Sequence, residues 1–553
     1  MKTASLRAKT LACALLAGTA YCGLAAAPAA AQASSPIYRN LDSNGVDLVK
    51  GDFLTSFAEG SIGSGEAELA LLRMLGATGS NGTRGSSQWD HIVFSIVPSG
   101  SYVDFGSRSD SFPGAQSRGA SLSGSGDSYV YRAPDGTAIA FGDPSGNPAG
   151  GTTNFCDGTR PSCILVPTSI TSPDGKTVNL GYEFWQLCIR SSDPDAPADC
   201  TYTPRLSGIS NSYGYSVLFS YASAPGSSSS SNPPATFHQR TGAVFRNSAA
   251  GTANLASVSY SYPSTGVTDV TDTGGRVWRV TSGSTYYGVR RPGASSDTLG
   301  ASLSGGIVTS VTNEGVTTGY SRSVSGSTAT MTVTNALSQA TIVSNLTTGR
   351  PSSVTDPLGH ATGFAYDADG RLKRTTAPEG NYVEHSYDSR GNVTQTVAVP
   401  KGGSGPTVVT SASFDSTCSN PVTCNRPNST TDARGNVTDY TYDSTHGGVL
   451  TVTSPAVGGV RPQTRYSYTL VNGEYQLTGT SQCRTTSACA GGSDEVVTTA
   501  AFDSSGNLSS TSTGNGSGTL TATSAMTYDY LGNLLTVDGP LPGTADTGRI
   551  RYN

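Results

Sequence analysis

Charge is scarce in this 553-residue sequence: 34 Lys and Arg set against 39 Asp and Glu leave 13% of residues charged and a net charge of -5. No basic excess is available to neutralise a phosphate backbone or an anionic membrane surface, so nucleic acid is excluded as the expected partner. Histidine is sparse too, with five residues and no His-Glu-x-x-His spacing, and no Cys-x-x-Cys pair occurs. Neither a zinc site nor another metal or cofactor site is expected on that pattern. Beyond the N-terminal region no stretch approaches the ~20 consecutive apolar residues that a spanning helix requires. What abounds is 68 Gly, 29 Pro and 26 Tyr, with many Ser and Thr, a composition for short strands joined by tight turns. The expected fold class is all-β.

The N-terminus reads as an export signal. Lys2, Arg7 and Lys9 precede an apolar run from Leu11 to Ala27, and Ala31-Gln32-Ala33 supplies a small-residue cleavage site. Residues 1–33 are expected to leave, placing the mature chain in the periplasm, outside the cell or on its surface, without a membrane span; a retained anchor is the alternative reading of the same run. Cys13 and Cys22 leave with the signal. The remaining eight cysteines fall in close pairs: Cys156 with Cys163, Cys188 with Cys200, Cys418 with Cys424, and Cys483 with Cys489. In an exported chain this pattern predicts four neighbour disulfides that staple loops.

Residues 34–222 read as an N-terminal β region holding two of those disulfides. Gly45 to Phe53 alternates apolar and polar residues and predicts a strand. Glu66 to Leu75 has a helical composition, but Leu69, Leu71 and Arg73 alternate and glycines bound them closely, so a strand is expected there as well. Turn signals follow at Ala133-Pro134-Asp135-Gly136, Ser172-Pro173-Asp174-Gly175 and Asn211-Ser212-Tyr213-Gly214, between β-rich runs. Residues 223–235 form a Ser/Pro-rich linker or loop. Residues 236–345 read as a degenerate β-repeat region, and 346–553 as a clear repeat region that ends inside a repeat.

The clearest copies lie at 356–392, where a unit of turn, strand, turn and strand occurs twice, 21 positions apart. Across the chain a glycine is followed seven residues later by tyrosine at Gly175/Tyr182, Gly214/Tyr221, Gly359/Tyr366, Gly380/Tyr387 and Gly435/Tyr442. Strand side chains alternate, so this odd offset puts Thr362, Phe364 and Tyr366 on one face, and likewise Val383, His385 and Tyr387. No single copy can bury that face, whereas stacked copies set the aromatic residues beside one another. The acid after the tyrosine and the glycine three residues on suit a tight turn at Asp367/Gly370, Asp388/Gly391 and, after Tyr528, Asp529/Gly532. Asp443 reaches its glycine one residue late, and Cys418 stands where the turn after Phe414-Asp415 should have one. An acid that recurs in copy after copy is a turn former; catalysis needs one constellation.

These Tyr-Asp-x-x-Gly-Arg/Asn units, at 366–371, 387–392 and 528–533, resemble the YD repeats of bacterial RHS proteins. The resemblance is specific over about 350–553. It implies a β-ribbon wound into part of a hollow shell, secretion, and a role in toxin encapsulation, intercellular competition or surface interaction. No C-terminal core module or toxin is recognised, so a truncated or fragmentary member is expected. The partner classes implied are a cell-surface glycan or protein, or a toxin cargo encoded elsewhere.

Other chemistry is thin, and no catalytic residue is expected. Gly175-Lys176-Thr177 ends like a phosphate-binding loop, but Ile170 occupies the required glycine position. Asp367 and Asp369 before Gly370 lack the further ligands and terminal Glu of a calcium loop. Glu384 and His385 are adjacent on a strand and point to opposite faces, with His385 expected to pack beside Tyr387. The reading is a non-enzymatic scaffold; an adhesin-like module that binds glycan or protein through its loops is the alternative.

Overall fold

The computed structural model describes residues 37–549, apart from 39, 77–92, 98–99, 105–107, 113–115, 118–119, 126–127, 143–162, 190–198, 230, 347–349, 484–485, 487–488 and 542–546. The expected signal peptide and Cys156 lie outside the described residues. The protein is almost wholly β: from Gln116–Ser117 one large, open, mainly antiparallel sheet runs in chain order to Gly548–Arg549, with Val93–Val97 added beside Cys163–Thr171 and Ile37–Tyr38 beside Arg108–Phe112. Among the described residues, helical structure amounts to three short 3-10 turns, at Gly65–Ala67, Ser248–Ala250 and Lys401–Gly403. The Ser/Pro-rich segment does not interrupt the sheet, because the strand before it, Tyr215–Tyr221, pairs directly with Arg240–Asn247 after it. Within that loop Gly226–Ser228 lies parallel to Trp185–Leu187, and the Trp185 indole donates to the Ser231 carbonyl at 3.3 Å.

A second element lies against this ribbon. Leu54–Ile62 and Leu69–Gly76 form a separate antiparallel hairpin. Leu69, Leu71, Arg73 and Leu75 all fall on its buried face, so alternation decides over helical composition. The expected strand over 45–53 is not formed. Asp42 and Asp47 turn the backbone there by accepting from the amides of Val46 (2.9 Å) and Val49 (2.8 Å), and Gly45 and Gly51 take φ of 83° and 80°.

The segment 42–67 crosses the sheet strand by strand, running backwards along it. Tyr320 donates to Asp42, Asn345 to the Leu48 carbonyl (2.8 Å) and Arg322 to the Val49 carbonyl (2.8 Å). Phe53 stacks on Tyr287 and Phe57 on Trp278, with centroids 5.8 and 5.4 Å apart. Farther on, Tyr260 reaches Glu59, and the Asn211 amide donates to the Ala67 carbonyl at 2.8 Å. The main core is this contact, built from Phe53, Ile62, Leu69 and Leu71 against Tyr215, Phe245, Val270, Val311 and Met331.

The ribbon also coils onto itself. Alternate turns of an antiparallel ribbon lie on the same edge, and turns 133–136, 172–175, 211–214 and 247–251 meet opposite-edge turns one coil later. The Asn425 amide donates to the Pro134 carbonyl at 3.2 Å, across 291 residues. The Tyr475 N–H donates to the Asp174 carbonyl at 2.6 Å, and the Asn247 amide to the Tyr530 carbonyl at 3.0 Å, across 283 residues. One coil therefore takes roughly 290 residues. Gly532 lies so close to Gly63 that a Cβ there would stand 2.6 Å from its backbone, a close approach that only glycine permits.

Candidate functional site

The five tyrosines of the seven-residue spacing share one geometry. Each hydroxyl donates to the carbonyl fifteen residues earlier: Tyr182 to Pro167, Tyr221 to Leu206, Tyr366 to Pro351, Tyr387 to Leu372 and Tyr442 to Pro427, at 2.6 to 3.0 Å. The strand pairing slips by one residue at each of these tyrosines, and again at Tyr528, so every unit carries a β-bulge. A bulge bends its strand and increases local twist, and its repetition curves the ribbon. An arginine sixteen residues before the tyrosine covers its ring in four copies: Arg205 over Tyr221, Arg350 over Tyr366, Arg371 over Tyr387 and Arg426 over Tyr442, at 4.0 to 5.7 Å. Sequence reasoning missed both bulge and arginine, although the fixed offset of sixteen was present to be found.

The acids close the turns. Asp388 accepts from the amides of Arg390 and Asn392 at 2.9 Å and from the Asn392 side chain at 2.8 Å. Asp529 does the same with Leu531 and Asn533, and Asp367 holds the Arg371 amide and guanidinium. Burial works to raise the Asp367 carboxyl, but the Arg371 amide and guanidinium outweigh it and hold the group below its ordinary value. Asp443 accepts from Thr445 and His446 in its longer turn. Gly359, Gly370, Gly380, Gly391, Gly435 and Gly532 all lie at φ between 75° and 94°, the left-handed region the turns require. Cys418 takes φ of 51° at the glycine-like position.

Cys418 is joined to Cys424, and Cys483 to Cys489, in disulfides with S–S of 1.97 and 2.06 Å. Cys188 and Cys200 are partners in the backbone register of their two strands, and Cys163 begins its strand. Among the described residues one group of three potential metal ligands gathers, Cys483, Cys489 and Asp494, but its two sulfurs are already bonded to each other. Lys176 donates to the Glu66 carbonyl, as a residue of a hairpin turn and not of a phosphate loop. Glu384 pairs with Arg374 at 3.2 Å, while His385 contacts the Thr396 hydroxyl at 3.0 Å and lies 6.4 Å from the Tyr387 ring. Burial pushes the His385 imidazole below its ordinary value.

These units present a continuous inner face that changes character along the chain. From Val178 to Val343 the tyrosine face is covered by the N-terminal segment. From about 351 to 475 the same face, with Phe364, Tyr366, His385, Tyr387, Tyr440 and Tyr442, is only half-buried. A cavity of about 310 Å³ opens there, lined by Val393, Thr396, Thr410, Phe414, Thr430 and Thr438 among others. Its lining residues carry hydroxyls, apolar carbons and the carboxamides of Gln395 and Asn436, with Asp432 the one charged residue among them.

The RHS Repeat family profile matches residues 347–382 and 366–404, the two units with the most regular hook, bulge and turn. Residues 347–404 are similar to RHS repeats. No curated protein sequence matches this chain. Solved structures similar to it include the Tc holotoxin pore of Photorhabdus luminescens, at 13% identity and a TM-score of 0.36, covering 87% of this chain and 25% of that one. The complex TcdB2-TccC3-Cdc42 is another, at 11% identity and a TM-score of 0.22, covering 85% of this chain and 27% of that one. The chain thus spans about a quarter of the length of these solved chains. Among the described residues no helix is long and apolar enough to cross a membrane.

Proposed function

We propose that the RHS-repeat chain is a secreted, non-enzymatic scaffold whose uncovered inner face encloses a polypeptide. The observation that carries this reading is the contrast along one face: the repeats from 178 to 343 are filled by the chain's own residues 42–76, and the same repeats from 351 to 475 are left half-exposed. A curved surface of tyrosine, threonine and small apolar groups, with Arg350, Arg371 and Arg426 lying over the tyrosine rings, suits an extended chain, which it meets by ring contacts and hydroxyl bonds. The basic n-region and small-residue cleavage site support export. The disulfides at Cys418–Cys424 and Cys483–Cys489 are consistent with an oxidising compartment.

A photo-cross-linking residue placed at His385, on the inner face, and another at the exposed Ala365, on the opposite face, test the reading in protein taken from its natural export route. Cross-links to a protease-protected polypeptide are expected from position 385 and not from 365. Equal labelling from both positions, or none from 385, would count against enclosure. The surface-binding alternative predicts instead that the mature chain binds a glycan array through its loops, with position 385 unlabelled.

A further inference from the structure

At the joint between the two coils a carboxyl group is buried with few of the partners an ionised carboxylate needs. Glu474 is 1% exposed, and it begins the strand whose next residue, Tyr475, donates its N–H to the Asp174 carbonyl at 2.6 Å. One Glu474 oxygen accepts from the Gln476 amide at 2.7 Å, and Gln476 donates onward to the Tyr213 hydroxyl. The other oxygen has no hydrogen-bond partner. Gly473, immediately before, sits with its carbonyl against Gly175, where any Cβ would collide with it.

The groups facing Glu474 come from three other elements. The 172–176 turn contributes Asp174 and Lys176, the 65–67 turn contributes Glu66, and the 211–214 turn contributes Tyr213. Two of these are acids. Lys176 is the one cation, and its ammonium is engaged by the Glu66 carbonyl. An ionised carboxylate placed out of water beside Asp174 and Glu66 costs far more than a neutral carboxyl, even with the Tyr213 phenol within hydrogen-bond reach of it.

We propose that this joint is an acid-closed latch: neutral Glu474 lets the second coil sit on the first, and ionised Glu474 drives the 473–476 segment away from Asp174. Burial, then the neighbouring acids, push the Glu474 carboxyl from 4.5 up to about 7, while Tyr213 and Lys176 act the other way. A group whose joined-state value is raised holds the joint fully below its free value and loses that contribution as pH rises to the joined value. The latch therefore weakens between pH 4.5 and about 7 and changes little beyond. Because each unit is tenfold in equilibrium, the closed fraction relative to open falls on the order of 100-fold across that window.

Hydrogen exchange of the Tyr475 amide in the full chain, corrected for intrinsic exchange at each pH, reads the joint directly. The Gly63 amide, which bonds the Leu531 carbonyl at 2.7 Å, is followed in the same samples as the contact without the latch. Protection of Tyr475 relative to Gly63 is expected to fall about 100-fold from pH 4.5 to 7.5, and Glu474→Gln is expected to make that ratio independent of pH. A flat ratio in the unmodified chain overturns the proposal, as does the same decline in Glu474→Gln. The ratio in the unmodified chain still decides the matter where the variant does not fold.

Discussion

The stretch from 178 to 345 and the stretch from 351 to 475 are built from the same unit, yet one has a core and the other does not. In the first, Val178, Tyr215, Phe245, Val270, Val311 and Met331 are buried under the hairpin and the loops before it. In the second, the large strand residues of the tyrosine face, Phe364, Tyr366, Tyr387, Tyr440 and Tyr442, are half-exposed. What the second retains is local: the tyrosine hook, the arginine over its ring, the bulge and the Asp turn. The unit thus holds its own curvature without a core, and the core comes from a segment that lies outside the repeat. Order in one half depends on long-range burial, and in the other on contacts made within about 16 residues.

The largest effect expected from breaking this comparison is at Arg73. Its guanidinium meets Glu59 at 2.5 Å with both side chains buried, and Tyr260 completes the site from the sheet. Arg73→Ala leaves a carboxylate buried beside a phenol and is expected to destabilise the covered half by about 3–5 kcal/mol. Native-state hydrogen exchange should show the loss in strands 240–282 and little change over 361–399. A uniform loss along the ribbon would mean that the two halves are one cooperative unit.

Next in size is a matched pair on the shared face. Phe245→Ala, at a fully buried position against Gly60, is expected to cost about 3–5 kcal/mol. Phe364→Ala, where the ring is half-exposed, is expected to cost roughly 1 kcal/mol, since little apolar area leaves water there. Equal costs, read as local opening free energies, would show that the 351–475 face is covered after all.

The same contrast explains what the sequence disclosed. The Gly-to-Tyr spacing and the Asp turns are local, and a strand's alternation is enough to place Thr362, Phe364 and Tyr366 together. The 45–53 segment misled because its alternation belongs to a looped run whose apolar residues Val46 and Phe53 are buried by distant strands. The coil period and the Glu474 joint were invisible because they join residues about 290 apart that share no motif. The arginine was legible in principle. Its offset to the next tyrosine is fixed, but the covering ring belongs to the following copy, so no single copy contains the pair.

A smaller effect sharpens the point that the hook is common to both halves. Tyr387→Phe removes the bond to the Leu372 carbonyl, and Tyr221→Phe removes its counterpart to Leu206, each 2.6 Å long. Each change is expected to cost about 0.5–1.5 kcal/mol, with similar values in the two halves because neither bond involves the hairpin. Exchange at the amides flanking each bulge measures both. A loss confined to Tyr221 would make the hook depend on the core.

The smallest effects are expected one turn at a time, from the acids at the ribbon's exposed edge. The His360 amide lowers the Asp356 carboxyl against the opposing effect of desolvation, and the Asn436 side chain and amide do the same for Asp432. A carboxyl held below its unfolded value contributes stability above that value and loses it as pH falls through the lower, folded one. Protection of the Gly359 and Gly435 amides, which close these turns onto Asp356 and Asp432, should therefore decline as pH drops below 3.8. Asp356→Asn and Asp432→Asn should lose that dependence. The direction is opposite to that at Glu474, because the turn acids are surrounded by donors and the joint acid is not. Turn amides that stay protected down to pH 2 in the unmodified chain would place the source of the units' rigidity elsewhere, in the hooks and bulges alone.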